Sequence, residues 1–232
     1  MRVVSWNCNG AFRNKLHKLE KFNADLYVIQ ECENPSQCAS VDYKSWAGNY
    51  LWCGTNKNRG LGVFAKNGMS LEQVPLDTSP LELFIPCRVN ESISVLAVWT
   101  REAKSPTFGY IGQLWKFLQR HPDFLATENS VLIGDLNSNA CWDVWDRWWN
   151  HSDVVRHLQD VGLESVYHHI HAEKQGSETW PTFYMHRKIE RPYHIDYAFL
   201  SARLLQGAAC SVGDPSEWLE VSDHMPLVVD LL

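Results

Sequence analysis

Residues 131–140 read VLIGDLNSNA. Apolar residues suited to a buried strand lead straight into Asp135 and Asn137, a carboxylate and a carboxamide two positions apart. Taken alone, that is also the pattern of a strand closing in an Asx turn. The rest of the chain repeats it. VVSWN ends at Asn7 and LYVIQE ends at Glu31, again apolar first and polar last. Two stretches are reversed: HIDYAFL begins with His194 and Asp196, and SDHMPLVV begins with Asp223 and His224. Buried strands that present acids, amides and a histidine at their tips fit a rigid catalytic or metal site. Asn7 has an alternative as a turn former and Glu31 as a solvated strand end. Asp196 has a poorer one, because a mid-strand acid is costly unless paired.

Three further clusters stand out. His168, His169 and His171 crowd into HHIH, at a spacing that matches no common ligand pattern, so a solvated or helix-end cluster is expected. Arg187, Lys188 and Arg191 lie in YMHRKIERPY (184–193), which leads into the HIDY strand and should border the same edge. That segment reads either as a cradle for an anionic substrate or as a solvated hairpin. CWDVWDRWW (141–149) holds four of the eleven tryptophans and leaves the edge at which GDLN ends. An exposed tryptophan there would stack on a base, but the expectation is that Trp142, Trp145 and Trp149 pack over the sheet end.

If all the strand tips meet, the first three strands must run opposite to the last two. That requires mixed sheets with a shared polar edge, not a purely parallel sheet. Strands are also expected at NYLWCG, GLGVFAK, LELFIPCRV, ISVLAVWT and PTFYM. Helices are expected at NKLHKLEKF, at YIGQLWKFLQRH and at SDVVRHLQDVG, the last with Ser152 as N-cap and Gly162 as its stop. Short gaps and even composition favour one α/β domain over residues 1–232.

Bulk properties narrow the function. There is no apolar run long enough to span a bilayer, and MRVVSWNCNG has no signal-peptide layout. Seven cysteines, an odd number without C-x-x-C spacing, point to reduced thiols in a cytoplasmic protein. A net charge of −6 argues mildly against indifferent binding of long nucleic acid. It leaves room for an acidic substrate held by a local basic patch or a cation.

Together SWNCNG, VIQE, GDLNSN, HIDYAFLS and SDHMPLVVDL, in that order, resemble the endonuclease/exonuclease/phosphatase superfamily. That group includes apurinic endonucleases, pancreatic deoxyribonuclease, poly(A) deadenylases and magnesium-dependent sphingomyelinases. The resemblance runs from residue 5 to residue 231. It implies a DNase I-like four-layer sandwich of two mixed β-sheets flanked by helices, and a metal-dependent phosphoester hydrolase. It places Asn7 and Glu31 at the metal and phosphate end, Asp135 and Asn137 as the GDxN pair, Asp196 as the acid of HIDY, and Asp223 with His224 in the final SDH. Tyr110, opening YIGQLWKF, looks like the tyrosine that contacts the scissile phosphate in apurinic endonucleases, or else simply caps its helix. Asn9 stands where some members carry Asp, so it is expected to touch substrate rather than metal.

Phosphate ester hydrolysis needs an in-line water and charge relief on the phosphoryl oxygens. Mg²⁺, with Mn²⁺ as its substitute, would be held by Glu31 first and Asp223 second, beside Asn7. The amides of Asn7 and Asn137 are expected to donate to phosphate oxygens. Asp135 or His224 is the base, and Asp196 fixes the His224 ring and favours its charged form. The leading substrate is DNA or RNA, cut by a monomer. The alternatives are a small phosphoester, such as a phosphoinositide, a nucleotide or a sphingolipid headgroup, and a catalytically silent binding module.

Overall fold

Side chains alternate between the two faces of a strand, and in this chain both faces of most strands are apolar. Each sheet must therefore be covered on both sides. The computed structural model describes residues 1–232. In chain order it runs β1 Arg2–Asn7, α1 Leu16–Leu19, β2 Leu26–Cys32, α2 Val41–Ala47, β3 Asn49–Asn56, β4 Arg59–Ala65, β5 Leu71–Gln73, β6 Phe84–Val89, β7 Ile93–Trp99, α3 Ile111–Arg120, β8 Ser130–Asp135, α4 His151–Asp160, β9 Leu163–Ser165, α5 Val166–His171, β10 Phe183–Tyr184, β11 Pro192–Tyr193, β12 Asp196–Ser201, α6 Ala202–Leu205, β13 Ala209–Val212, α7 Pro215–Trp218 and β14 Leu227–Asp230.

Two six-stranded sheets form, ordered β13-β14-β1-β2-β4-β3 and β5-β6-β7-β8-β12-β9. Both are mixed: β1 lies parallel to β2 and antiparallel to β14, while β8 lies parallel to β7 and antiparallel to β12. The strand directions required by the polar tips are thus met. Val3, Val28 and Val63 of the first sheet share one core with Val95, Ile133 and Ala198 of the second. The outer faces are also buried. Trp6 and Ile29 pack with Tyr43 and Trp218, and Leu132 and Phe199 pack with Leu114 and Leu158. This is the four-layer α/β sandwich that the resemblance implies.

Several expected elements differ. The NKLHKLEKF helix is only the single turn α1 between two 3-10 turns. PTFYM contributes just the two residues of β10, and α2 was not foreseen. Helix α4 begins at His151, so Ser152 is not its cap. Asn150 is, in a capping box with Asp153, whose carboxylate accepts from the Asn150 N–H at 2.9 Å. No helix is long and apolar enough to cross a membrane, and all seven cysteines are free.

Candidate active site

Strand parity delivers most of the site. In β1, Val3 faces the core between the sheets while Val4 and Trp6 face the helices, so Asn7 continues the inner series. Val131 and Ile133 face inward around Leu132, and Asp135 follows them. In β12, Leu200 and Ala198 face inward and Asp196 precedes them. The inner series of both sheets therefore end at one place, where the Asn7 amide donates across the sheets to Asp135 Oδ2 at 3.0 Å.

Glu31 breaks parity. Gln30 pairs with Leu61 and Cys32 with Gly60, leaving Glu31 as the extra residue of a bulge, with φ 65°. The bulge turns Cys32 to the outer core and leaves Glu31 on the inner side, its Oε1 at 3.5 Å from Asn7 Nδ2. Gly134 is needed for a different reason. Its φ is 150°, and a Cβ there would sit 1.9 Å from the Val98 carbonyl oxygen. No other residue type allows β7 to lie so close beside the strand end that carries Asp135.

Asp135 is fully buried and accepts three hydrogen bonds: from Asn137 N (2.8 Å), Asn137 Nδ2 (3.0 Å) and Asn7 Nδ2 (3.0 Å). Asn137 Nδ2 also donates to Thr100 O at 3.0 Å. Both amides, expected to face phosphate, are thus turned onto Asp135 and the groups beside it. The reason is burial, which makes an unbonded carboxylate oxygen expensive. His224 Nδ1 donates to Asp196 Oδ2 at 2.9 Å, and His224 Nε2 stands 3.9 Å from Asp135 Oδ2. That gap is too long for a hydrogen bond. Ser222 fixes the loop, accepting from His224 N (3.0 Å) and donating to Asn7 O (2.7 Å). Trp6 Nε1 donates to His224 O at 2.9 Å, and the Phe183 ring lies 4.6 Å from the imidazole. Thr182 Oγ1 accepts from Asp196 N at 3.0 Å.

Burial opposes the charge on His224, but Asp196 and Asp135 together outweigh it and lift its pKa to about 9. Burial likewise pushes Asp135 above the ordinary carboxylate value, against the pull of the charged His224. Asp135, Asp196 and His224 form a buried cluster, ligand atoms within 4.8 Å of one another, that could hold a metal ion. Glu31 and Asp223, the expected ligands, lie outside it.

The remaining expected residues are placed as follows. Asp223 is half-buried and its carboxylate has no protein partner, while its backbone oxygen accepts from Tyr184 N. Asn9 is exposed, and only its backbone N–H reaches Asn7 Oδ1, at 3.1 Å. Tyr110 sits at the N-cap position of α3 with φ 53°, its hydroxyl bonded to nothing. It neither caps the helix through its side chain nor touches the cluster. Arg187 donates to Glu220 O at 2.9 Å and so braces the loop leading to Asp223. Lys188 and Arg191 are exposed and their side chains have no protein partner. His168 is bound between Ser165 (2.7 Å) and Glu178 (3.0 Å), so the HHIH cluster is a helix end and not a metal site. Trp149 packs on Phe108, but Trp145 is 95% exposed, which overturns the expected packing of all three tryptophans. Its loop is closed on itself by Asn150, which bonds Val144 and Arg147.

Sequence reasoning missed Arg59, which bonds Glu31 Oε1 and lies over the Trp99 ring. It also missed Thr100, Thr182 and Phe183. Ser222 was within reach, as the first residue of SDH. Arg59 carries no local signal, because only the pairing of β4 with β2 brings it to Glu31.

No protein-family model matches the chain, and no curated protein matches it. Solved structures do. A 3′ phosphatase from Neisseria, solved bound to a product DNA hairpin, matches with a TM-score of 0.72 at 18% identity, over 100% of this chain and 99% of that one. An AP endonuclease from Archaeoglobus fulgidus matches with a TM-score of 0.71 at 20% identity, over 100% and 99%. The endonuclease domain of TRAS1, a telomere-specific non-LTR retrotransposon, matches with a TM-score of 0.62 at 16% identity, over 99% and 97%. At these identities the likeness establishes the fold.

Proposed function

We propose that the chain is a Mg²⁺-dependent phosphodiester hydrolase acting on nucleic acid. The observation that carries this reading is the convergence of Asn7, Glu31, Asp135, Asn137, Asp196 and His224 from separate strand ends onto one buried point. The named activities of the structurally similar proteins, a DNA-bound 3′ phosphatase and an AP endonuclease, support it.

The donor set fits a hard cation. Glu31 turns Oε1 toward Asn7, and no protein group bonds its Oε2. Asp223 likewise offers an unpartnered carboxylate. The Asp135–Asp196–His224 cluster is the poorer host, because its ligand atoms are largely spent on one another and on the two amides. Glu31 with Asp223 would hold the ion, and when bound it relieves charge on the phosphoryl oxygens.

The chain's own groups do the rest. His224, kept charged by Asp196, is a poor base and stabilises the negative charge that builds on phosphorus-bound oxygens. Asp135, its pKa raised, accepts the proton of the attacking water. Asn7 and Asn137 fix the carboxylate in place. Lys188 and Arg191 meet the substrate backbone, Asn9 and Tyr110 line its approach, and free thiols suit a reducing compartment.

A hydrolysis screen over DNA, RNA and small phosphodiesters, with Mg²⁺ and with chelator, tests the reading. Mg²⁺-dependent cleavage of an oligonucleotide is expected, with Glu31→Gln losing both cleavage and calorimetric Mg²⁺ affinity. Cleavage of small phosphodiesters alone moves the substrate to that class, and no hydrolysis anywhere overturns the proposal.

A further inference from the structure

A row of rings leads away from His224. Phe183 lies 4.6 Å from the imidazole, Tyr193 lies 6.4 Å from Phe183, and Trp142 lies 5.0 Å from Tyr193. Beyond Trp142 the loop carries Trp145 and Trp148, 95% and 63% exposed. The loop that holds them is braced. Asn150 Oδ1 accepts from Val144 N (2.9 Å) and Arg147 Nε (2.8 Å), and its Nδ2 donates to Val144 O (3.0 Å) and Arg147 O (2.6 Å). The Asp143 carboxylate accepts from His151 N (2.9 Å) and Ser152 N (3.2 Å). Trp149 anchors the far end on Phe108, 4.7 Å away. The chain thus fixes this loop while leaving two indoles in solvent, at a place continuous with the candidate site.

We infer that Trp145 and Trp148 form a stacking platform for unpaired bases at the outer end of the row of rings that starts at His224. The inference rests on the nucleic-acid reading above and narrows its substrate to one with a single-stranded segment. An exposed indole stacks on any base face, whatever the base. Within a duplex those faces are covered by neighbouring base pairs, so only an unpaired base is open to it. Two cations favour this occupant, against one exposed acid, Asp146, beside Trp145. Lys188 and Arg191, on the hairpin that carries Tyr193, are free cations for the backbone of the same strand. Of the two acids in the loop, Asp143 is already committed to the start of α4.

The test is anisotropy of a labelled ten-nucleotide oligothymidylate and of a labelled blunt DNA duplex, on Asp135→Asn protein to prevent turnover. Trp145→Ala and Trp148→Ala are each expected to weaken the single strand by about 5- to 100-fold. The blunt duplex should change by less than about twofold, and Trp145→Phe should recover most of the loss because its ring still stacks. Unfolding temperatures should match the parent, since neither side chain fills the core. Unchanged single-strand affinity in the double Ala protein overturns the platform, as does an equal loss on both ligands. A self-association that disappears in Trp145→Ala, with oligonucleotide affinity unchanged, assigns the patch to a protein contact and overturns it too. These results are separable from failure of the nucleic-acid reading itself, in which protein with intact Asp135 cleaves no oligonucleotide and the Asp135→Asn form binds none.

Discussion

Asp196 Oδ1 is buried and meets no donor, while Oδ2 holds His224 Nδ1 at 2.9 Å. An ionised carboxylate in that state is expensive unless a charge sits beside it, and the charged His224 is that partner. The two residues therefore act as one unit. Asp196→Asn removes the charge and allows the imidazole the wrong tautomer. His224→Ala removes the ring and strands the acid. Each is expected to lower kcat by roughly 10²- to 10⁴-fold, and the double variant by little more than the worse single. Steady-state kinetics of the three proteins decide it: losses that multiply would show that the pair is uncoupled.

At the scale of the element, the site depends on two irregularities in otherwise regular strands. The bulge in β2 supplies Glu31, and Gly134 lets β7 and β8 meet just before Asp135. Gly134→Ala tests the second. Its Cβ would collide with backbone, the Val98 carbonyl, which has no rotamer by which to yield. A cost of roughly 1–3 kcal/mol is expected, lowering the melting temperature by about 2 to 12 °C in a chain of this size. Activity at a temperature where the variant remains folded should fall as well, because Asp135 moves with its strand. Calorimetry showing parental stability would contradict the close approach.

For the whole molecule, the first sheet takes β1 to β4 from one end of the chain and β13 and β14 from the other, while the second sheet comes from between them. The ends are tied directly, through Arg2 to Asp230 and the Met1 ammonium to Leu231 O. Residues of both sheets share one inner core. Neither sheet completes that core alone, so residues 1–232 should unfold as one domain in a single transition. Circular dichroism and tryptophan fluorescence are suited to the measurement, because Trp6 and Trp218 lie on the outer side of the first sheet and Trp115 and Trp149 near the outer side of the second. Coincident denaturation curves are expected, and two separated transitions would refute the single domain.

The amino-acid order by itself determined the strand ends, their opposed directions and the residues they carry. Period-two alternation makes an inner acid legible: Asp135 and Asp196 follow from Ile133 and Ala198 by counting. It could not determine Glu31, because counting from Val28 puts Glu31 on the outer face, and only pairing with β4 creates the bulge that reverses it. Nor could it determine that Asn7 serves Asp135, that Arg59 reaches Glu31, or that Trp145 stands in solvent while Trp149 does not. Those facts are contacts between segments far apart in the chain or between a loop and its own cap. Local pattern fixes which face a side chain takes along its own strand, whereas the partner it meets there depends on how the two sheets are stacked.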